Sequence, residues 1–190
     1  MKFHRTTLAD ARLIELDQRG DERGVFARTM CAAEFAAEGL VTTFVQQNMS
    51  TSAERGTVRG MHFQLPPHRE VKLVRCVRGA ILDVIVDIRP GSPSFLQHEG
   101  FELSAQNRRQ LYVPEGFAHA FQTLTDDVEV SYLVSAAYAP EAERGLRWND
   151  PALAIDWPFP VSVISDKDAN WPLLDDPRTD PRITCHEMAV

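Results

Sequence analysis

The chain has 190 residues, 44% of them hydrophobic and 25% charged, which suits one globular domain over residues 1–190. Its formal net charge of −7 argues against a nucleic-acid-binding surface, although a local group of arginines can still bind a small anion. No apolar run approaches the length of a membrane span, and the N-terminal residues carry no apolar signal segment. The three cysteines are widely spaced and include no Cys-x-x-Cys pair, so we expect neither disulfides nor a zinc–thiolate site, and a reducing cytoplasm.

The first half of the chain alternates short extended segments with polar turns. Strand character is found, in chain order, at residues 11–16, 25–28 and 41–49. Polar turns or loops are predicted at residues 17–24, which contain two glycines, and at residues 50–56. The Ala- and Glu-rich segment 31–40 predicts a short helix that ends near Gly39.

The second half predicts a series of short strands at intervals of about 8–12 residues. These strands are residues 72–78, 80–88, 95–103, 110–114, 120–124 and 128–134. Beyond Tyr138 prolines and tryptophans become frequent, and only residues 160–164 have strand character. We expect this tail to wrap the strands and to carry site residues. The pattern favours an all-β sandwich or jelly roll.

The strand at residues 80–88 is the clearest in the sequence. Alternation places one wholly apolar face opposite a face that carries Asp83 and Asp87. We assign the apolar face to the core; its members are Leu82, Val84, Val86 and Ile88.

Residues 59–67, Arg-Gly-Met-His-Phe-Gln-Leu-Pro-Pro, are the first candidate for chemistry. His62 stands among apolar residues, and Lys72 begins the following strand. We predict that His62 and Lys72 lie on adjacent strands and point into one cavity. The alternatives are a hydrogen-bonded core histidine and a solvated edge lysine.

Two motifs resemble those of the cupin superfamily. Pro114-x-Gly116-x-x-His119 resembles the second cupin motif, and residues 60–79 resemble a degenerate first motif with His62, Gln64 and Glu70. In metal-binding cupins the first motif supplies two histidines, but Gln64 replaces the second one here. Since a carboxamide binds first-row metals much less well than imidazole does, we expect no metal and no cofactor. A metal-dependent cupin remains an alternative.

Over nearly its whole length the sequence resembles the dTDP-4-dehydrorhamnose 3,5-epimerase family. The segments that carry the resemblance are residues 21–26, 46–50, 59–64, 72–79, 83–92, 114–119, 148–151, 155–158 and 165–168. The resemblance implies a cupin-type double-stranded β-helix, or jelly roll, with short peripheral helices. It also implies a homodimer and a role in deoxysugar biosynthesis of the rhamnose type.

The implied reaction is epimerisation of a nucleotide-linked 4-keto-6-deoxyhexose at C3, C5 or both. The C–H bonds next to the ketone are acidic, so the reaction needs a base, a cation near the enolate and an acid on the opposite face. The resemblance assigns His62 as the base, Asp168 as the residue that orients it, Lys72 as the cation and Tyr132 as the acid. For Tyr132 the alternative is an ordinary core tyrosine.

The substrate's diphosphate is expected to be bound by arginines, which make bidentate, charge-assisted hydrogen bonds. The resemblance implies Arg23 and Arg59 for this role. Further substrate contacts that it implies are Phe26, Arg28, Gln46, Asn48, His119, Glu143 and Lys167.

The sequence departs from the family at positions expected to set specificity. Arg28 stands where Glu is usual, Met49 where His is frequent, and Glu70 where Gln is usual; Leu133, Ala136 and Ala137 replace polar and aromatic residues. Arginine only donates hydrogen bonds, which suits the unprotonated N3 of cytosine better than the N3–H of thymine. We therefore hypothesise a CDP-linked substrate in place of a dTDP-linked one, or inversion at only one carbon. The alternative from another class is a non-catalytic cupin that binds sugar nucleotides.

Overall fold

The computed structural model of the chain describes residues 1–174. The predicted single domain over residues 1–190 extends beyond this range, and Cys185 lies outside it. None of the helices in the described part is long and apolar enough to cross a membrane.

Two antiparallel sheets face each other and form the body of the molecule. In spatial order the six-stranded sheet contains β1 (Lys2–Arg5), β2 (Arg12–Glu15), β10 (Gln110–Val113), β7 (Lys72–Arg78), β12 (Val128–Val134) and β5 (Gln46–Ser52). The five-stranded sheet contains β13 (Glu143–Gly145), β6 (Val58–Gln64), β11 (Phe117–Thr123), β8 (Ala80–Asp87) and β9 (His98–Ser104). A separate hairpin pairs β3 (Gln18–Asp21) with β4 (Gly24–Ala27), and the helices are α1 (Ala32–Ala37) and α2 (Asp166–Ala169). This arrangement is the predicted all-β jelly roll with short peripheral helices.

The interior between the sheets is filled by the face of β8 that we had assigned away from the core. Ile81 and Ile85 pack there against residues of the six-stranded sheet such as Val74. Val84 and Val86 belong to a second cluster, which packs against the C-terminal segment. The prediction that the apolar face belongs to the core is confirmed, because Val84, Val86 and Ile88 are buried. The opposite face is buried as well, which alternation did not indicate. The aspartates tolerate burial because His119 binds Asp83 and Arg89 binds Asp87.

Several strand boundaries differ from the sequence predictions. Residues 17–24 are not only a turn, because they contain β3; its short, exposed and polar sequence gives no alternating signal. Residues 41–45 form no strand, and β5 instead extends into the predicted loop because Ser50 to Ser52 pair with β12. The strand β11 begins at Phe117, earlier than predicted.

The C-terminal segment wraps the five-stranded sheet as expected, but without the strand predicted at residues 160–164. Backbone hydrogen bonds join Val58 N–H to the Val163 carbonyl at 2.9 Å and Ser162 N–H to the Gly56 carbonyl at 3.1 Å. The Gln122 amide also binds the backbone of Phe159 in both directions, at 2.9 and 3.0 Å. These bonds lead the chain along β6 and place α2 beside the interior cavity.

His62 and Lys72 do not lie on adjacent strands. His62 is on β6 of the five-stranded sheet, whereas Lys72 is on β7 of the six-stranded sheet. The turn between β6 and β7 crosses from one sheet to the other, which residue spacing alone could not reveal. The two side chains nevertheless line the same cavity, from opposite walls.

Candidate active site

A cavity of about 550 Å³ opens between the two sheets and gathers most of the predicted catalytic side chains. The titratable side chains on its lining are Arg59, His62, Lys72, His119, Tyr132, Lys167 and Asp168. A second cavity of about 370 Å³ shares His62, Lys72 and Tyr132 with the first. Polar residues found only in the second are Gln46, Asn48, Gln64, Glu70, Tyr138 and Glu143. The three shared residues therefore lie where the two cavities join.

His62 and Asp168 form a hydrogen-bonded pair on one wall. The Nε2 atom of His62 lies 2.6 Å from Oδ1 of Asp168, and the other carboxylate oxygen accepts from the Gly60 N–H at 3.0 Å. Burial favours the neutral acid, but the hydrogen bond and charge of His62 outweigh it, so the pKa of Asp168 lies below its usual value. An ionised carboxylate in this position orients the imidazole ring and stabilises its protonated form.

The position of Asp168 depends on two local features. Ser165 caps α2 by accepting the Asp168 N–H at 3.1 Å, which fixes the start of the helix. On β6, Gly60 has a φ of +111°, and a Cβ atom there would lie 2.5 Å from the His119 carbonyl oxygen. Glycine is therefore required where β6 approaches β11 and where the Gly60 N–H meets Asp168.

Lys72 and Tyr132 lie on the opposite wall, on neighbouring strands of the six-stranded sheet. The Lys72 side chain is 12% exposed, and its Nζ lies 3.2 Å from Oε1 of Glu70. Burial raises the pKa of Tyr132, the charge of Glu70 raises it further, and Arg59 opposes them. Tyr132 therefore stays a neutral phenol that can donate a proton. A ring bound between the sheets would meet His62 on one side and Tyr132 on the other.

His119 also faces the cavity, and its ring binds the fully buried Asp83. Sequence reasoning identified His119 but not its partner, because the strand's alternation seemed to turn Asp83 away from the core. A usable signal was present: an aspartate within an apolar strand needs a buried partner.

A network of polar groups borders the second cavity. The Lys167 ammonium lies 2.8 Å from Glu143, and the Tyr138 hydroxyl donates to the same carboxylate at 2.9 Å. The Tyr138 N–H donates to the Gln46 side chain at 2.9 Å. Burial opposes ionisation of Glu143, but its hydrogen bonds with Lys167 and Tyr138 lower its pKa below the usual value. Tyr138 was missed from the sequence, where it is only the first residue of an irregular tail.

Arg59 is held in place by β5. Its Nε donates to the Ser52 hydroxyl at 3.1 Å and one terminal nitrogen donates to the Thr51 carbonyl at 2.7 Å. These bonds fix the plane of the guanidinium at the cavity wall. Together with Lys72 and Lys167 it makes the cavity locally cationic in a chain of net negative charge.

Three predicted substrate contacts lie outside both cavities. The Arg23 side chain is 86% exposed and binds its neighbour Asp21, and Phe26 is 71% exposed on the same hairpin. Arg28 follows the hairpin, is 64% exposed and lies 3.4 Å from Glu34. Within one copy of the chain these residues do not reach the groups around His62.

Gln64 lines the second cavity, but its amide is bound largely to the backbone. Its amide oxygen accepts from the Ala139 N–H at 2.7 Å, and its amide nitrogen donates to the His68 carbonyl at 2.9 Å. Among residues 1–174, no three His, Cys, Asp or Glu side chains are grouped as a metal ion would require.

The fold and the site together define the class of protein, a jelly roll with an acid–base site. Its imidazole–carboxylate pair faces an ammonium and a phenol, which are the groups needed to move a proton on a carbon next to a carbonyl.

The chain belongs to the dTDP-4-dehydrorhamnose 3,5-epimerase family, whose model matches residues 5–176. The dTDP-4-dehydrorhamnose 3,5-epimerase of Sinorhizobium fredii is 46% identical over 92% of this chain and 90% of its own length. The dTDP-4-dehydrorhamnose 3-epimerase of Streptomyces niveus is 42% identical over 85% of this chain and 78% of its own. The crystal structure of the Bacillus anthracis 3,5-epimerase with TDP and pyrophosphate bound superposes with a TM-score of 0.89, at 46% identity, over 91% of this chain and 99% of that one. The predicted family and cupin-type fold are thereby confirmed.

Proposed function

We propose that this protein is a metal-independent epimerase that inverts C3, C5 or both of a dTDP-linked 4-keto-6-deoxyhexose, in deoxysugar biosynthesis of the rhamnose type. The observation that carries the proposal is the His62–Asp168 pair facing Lys72 and Tyr132 across one cavity. Family membership supports the reaction, and the TDP in the Bacillus anthracis relative supports the nucleotide.

In the proposed reaction His62 removes the proton from C3 or C5 of the sugar. The electron pair of that C–H bond forms a double bond to C4, and the ketone oxygen becomes an enolate. Asp168 stabilises the imidazolium, and the Lys72 ammonium stabilises the enolate oxygen. Tyr132 then protonates the same carbon from the opposite face, after which solvent restores both side chains. General acid–base catalysis of this kind contributes roughly 10²- to 10⁴-fold for each group.

The cationic lining of the larger cavity suits the diphosphate. Arg59 has a fixed guanidinium plane, and Lys167 and His119 add polar contacts on the same lining. We propose dTDP and not CDP as the nucleotide carrier. The residue that suggested cytosine, Arg28, is bound to Glu34 outside both cavities, and the relatives described above are named for dTDP-sugars.

Solvent exchange followed by NMR tests the proposal. The protein is incubated in D₂O with dTDP-4-keto-6-deoxyglucose, and deuterium is measured separately at C3 and C5. We expect exchange at both carbons; exchange at C3 alone would make the protein a 3-epimerase, as the Streptomyces niveus relative is named. Exchange at neither carbon would contradict catalysis and favour a non-catalytic sugar-nucleotide-binding cupin.

Metal independence is tested by chelation. Because Gln64 uses its amide for backbone hydrogen bonds, we expect the exchange rate to be unchanged after dialysis against a chelator. A loss of activity that an added divalent metal restores would favour the metal-dependent alternative.

We also propose that the protein is a homodimer in which the β3–β4 hairpin of each copy reaches the cavity of the other. Support comes from the exposure of Arg23 and Phe26 and from exposed apolar side chains nearby in sequence and on β5, with Val25 at 51% and Met49 at 63%. An arginine and a phenylalanine suited to a nucleotide have no ligand surface in their own copy. Light scattering should give about twice the mass of one chain; a monomer would contradict the proposal.

We propose a cytoplasmic enzyme whose single domain spans residues 1–190. The free thiols of Cys31 and Cys76 support a reducing compartment, and the family match over residues 5–176 supports one domain. Cell fractionation tests the location, and limited proteolysis tests the domain boundary.

A further inference from the structure

Glu70 is an unexpected group at the proposed active site. It lies in the segment between β6 and β7, its side chain is only 12% exposed, and it lines the second cavity with Lys72 and Tyr132. A site that binds a diphosphate and forms an enolate gains nothing from a further negative charge, because like charges repel. The carboxylate therefore requires an explanation.

The contacts of Glu70 show that its carboxylate is fixed at both oxygens. Oε1 lies 3.2 Å from the Lys72 ammonium, and Oε2 accepts from the Gln64 amide at 3.3 Å. Gln64 is itself 6% exposed and held by Ala139 and His68. A chain of hydrogen bonds thus runs from two loop segments through Gln64 and Glu70 to Lys72.

Lys72 needs such a partner if it is to act on one oxygen atom. A lysine ammonium is a compact charge at the end of a flexible four-carbon stem. The side chain by itself therefore does not hold the ammonium in one place. Both members of the pair are 12% exposed, which makes their attraction stronger than that of a surface pair.

We propose that Glu70 is a positioning residue for the epimerisation: its carboxylate holds the Lys72 ammonium against the cavity wall beside Tyr132, where the enolate oxygen forms. The inference rests on the proposed function. Glu70 itself is not assigned a proton transfer, and it acts through Lys72.

The rival explanation is a purely structural ion pair that secures the turn between β6 and β7. The effect on kcat and the melting temperature, measured together, separate the two, because a pair that only secures the turn would lower activity only as far as folded protein is lost. The pH profile adds a check on the charge at position 70, which raises the pKa of Tyr132. Other charged or titratable groups that face the cavities with Tyr132 are Arg59 and His62 on β6, Lys72 on β7, His119 on β11, Tyr138 after β12, Glu143 on β13, and Lys167 and Asp168 on α2. They are the same in the variants below, so a difference in the alkaline limb reports the charge at position 70.

The test compares Glu70→Ala and Glu70→Gln in the full chain, with dTDP-4-keto-6-deoxyglucose as substrate. Glu70→Ala removes the contact, and we expect kcat to fall by about 10- to 100-fold with KM changed less than about threefold. Glu70→Gln keeps an acceptor oxygen for Lys72, so kcat should fall by only about threefold. In both variants the alkaline loss of kcat should begin at lower pH, because Tyr132 gives up its proton more readily without the neighbouring charge.

The control is Glu102→Gln, which removes one carboxylate from an exposed position on β9 and should leave kcat and the pH profile unchanged. Thermal unfolding checks that each variant is folded. Glutamine has the size of the native glutamate, so Glu70→Gln alone can be used for the test if Glu70→Ala is unstable.

The two levels of the proposal fail in different ways. If the unmodified enzyme exchanges no proton of the substrate, the proposed function and the role of Glu70 are both overturned. If it is active but folded Glu70→Ala, or Glu70→Gln where Glu70→Ala is unstable, keeps its full kcat, only the positioning role is overturned. A loss of activity that follows the fall in melting temperature in both variants would identify the structural ion pair.

Discussion

Two regions, the walls of the cavity and the β3–β4 hairpin, carry residues that the sequence predicts to contact a substrate. The two sets of residues differ in exposure and in how their side chains are held. On the walls, His62 is 31% exposed and Lys72 12%, and each is held by a carboxylate. On the hairpin, Arg23 is 86% and Phe26 71% exposed. The difference teaches that the groups proposed for the chemistry are oriented by packing within one chain. Arg23 and Phe26, which are proposed for nucleotide recognition on the hairpin, are instead exposed and lie outside the cavities of their own copy.

Removal of His62 should give the largest effect, because His62 is the imidazole that Asp168 orients, whereas the neighbouring His119 is bound to Asp83. We expect His62→Ala to lower the rate of deuterium exchange at C3 and C5 by roughly 10³-fold or more. The affinity for TDP, measured by calorimetry, should change little, because its proposed contacts are Arg59 and the hairpin. Exchange that survives the substitution would show that another group is the base.

Asp168→Asn should give the next largest effect. The amide fills the same space but does not stabilise the imidazolium, so we expect kcat to fall by about 10²-fold or more. Because the pKa of Asp168 is depressed in the folded protein, its ionised carboxylate, with its hydrogen bonds, adds stability above the unfolded carboxyl pKa and loses it as pH falls below that value.

The control for Asp168 is therefore thermal unfolding at two pH values. Near pH 7 the native protein should melt above the Asp168→Asn variant. The gap should narrow below about pH 4, where the carboxylate of the unfolded chain is protonated. A gap that is the same at both pH values would contradict a stabilising role of the ionised Asp168 carboxylate.

Much of the fold could be predicted from the sequence, because strands such as β7 and β12 have clear ends. The resemblance supplied the candidate site residues. It could not supply distances across the chain: His62 and Asp168 are 106 residues apart. Alternation also failed on β8, where burial of both faces hid the role of Asp83. The position of Tyr138 at the second cavity and the crossing of the chain between β6 and β7 are set by how the sheets assemble. Neither produces a local pattern in the sequence.

Arg23→Ala tests whether the hairpin completes a site in another copy. By itself the substitution should raise KM about tenfold, through loss of a charge-assisted contact to phosphate. The sharper measurement mixes the Arg23→Ala and His62→Ala variants and refolds them together. In a shared-site dimer, half of the molecules are mixed, and each of these has one site with both lesions and one with neither.

The joint refolding should therefore restore about a quarter of the native activity from two impaired variants. Arg55→Ala, another exposed arginine outside the hairpin, serves as the matched control and should behave as the native chain does when mixed with His62→Ala. If the mixture has no more than the average activity of its two components, the hairpin acts within its own copy or not at all.

Arg28→Glu should have the smallest effect, and it addresses the base of the nucleotide. The substitution replaces a donor with an acceptor for the N3–H of thymine, and one hydrogen bond changes a binding constant by about two- to tenfold. We expect the ratio of TDP to CDP affinity, measured by calorimetry, to rise by that factor if the hairpin lies over the base in a second copy. Because Arg28 also binds Glu34, Glu34→Gln is measured beside it to separate a local change in the hairpin from a contact with the nucleotide. An unchanged ratio in Arg28→Glu would place the residue away from the base, and the hairpin would then contribute Arg23 and Phe26 alone.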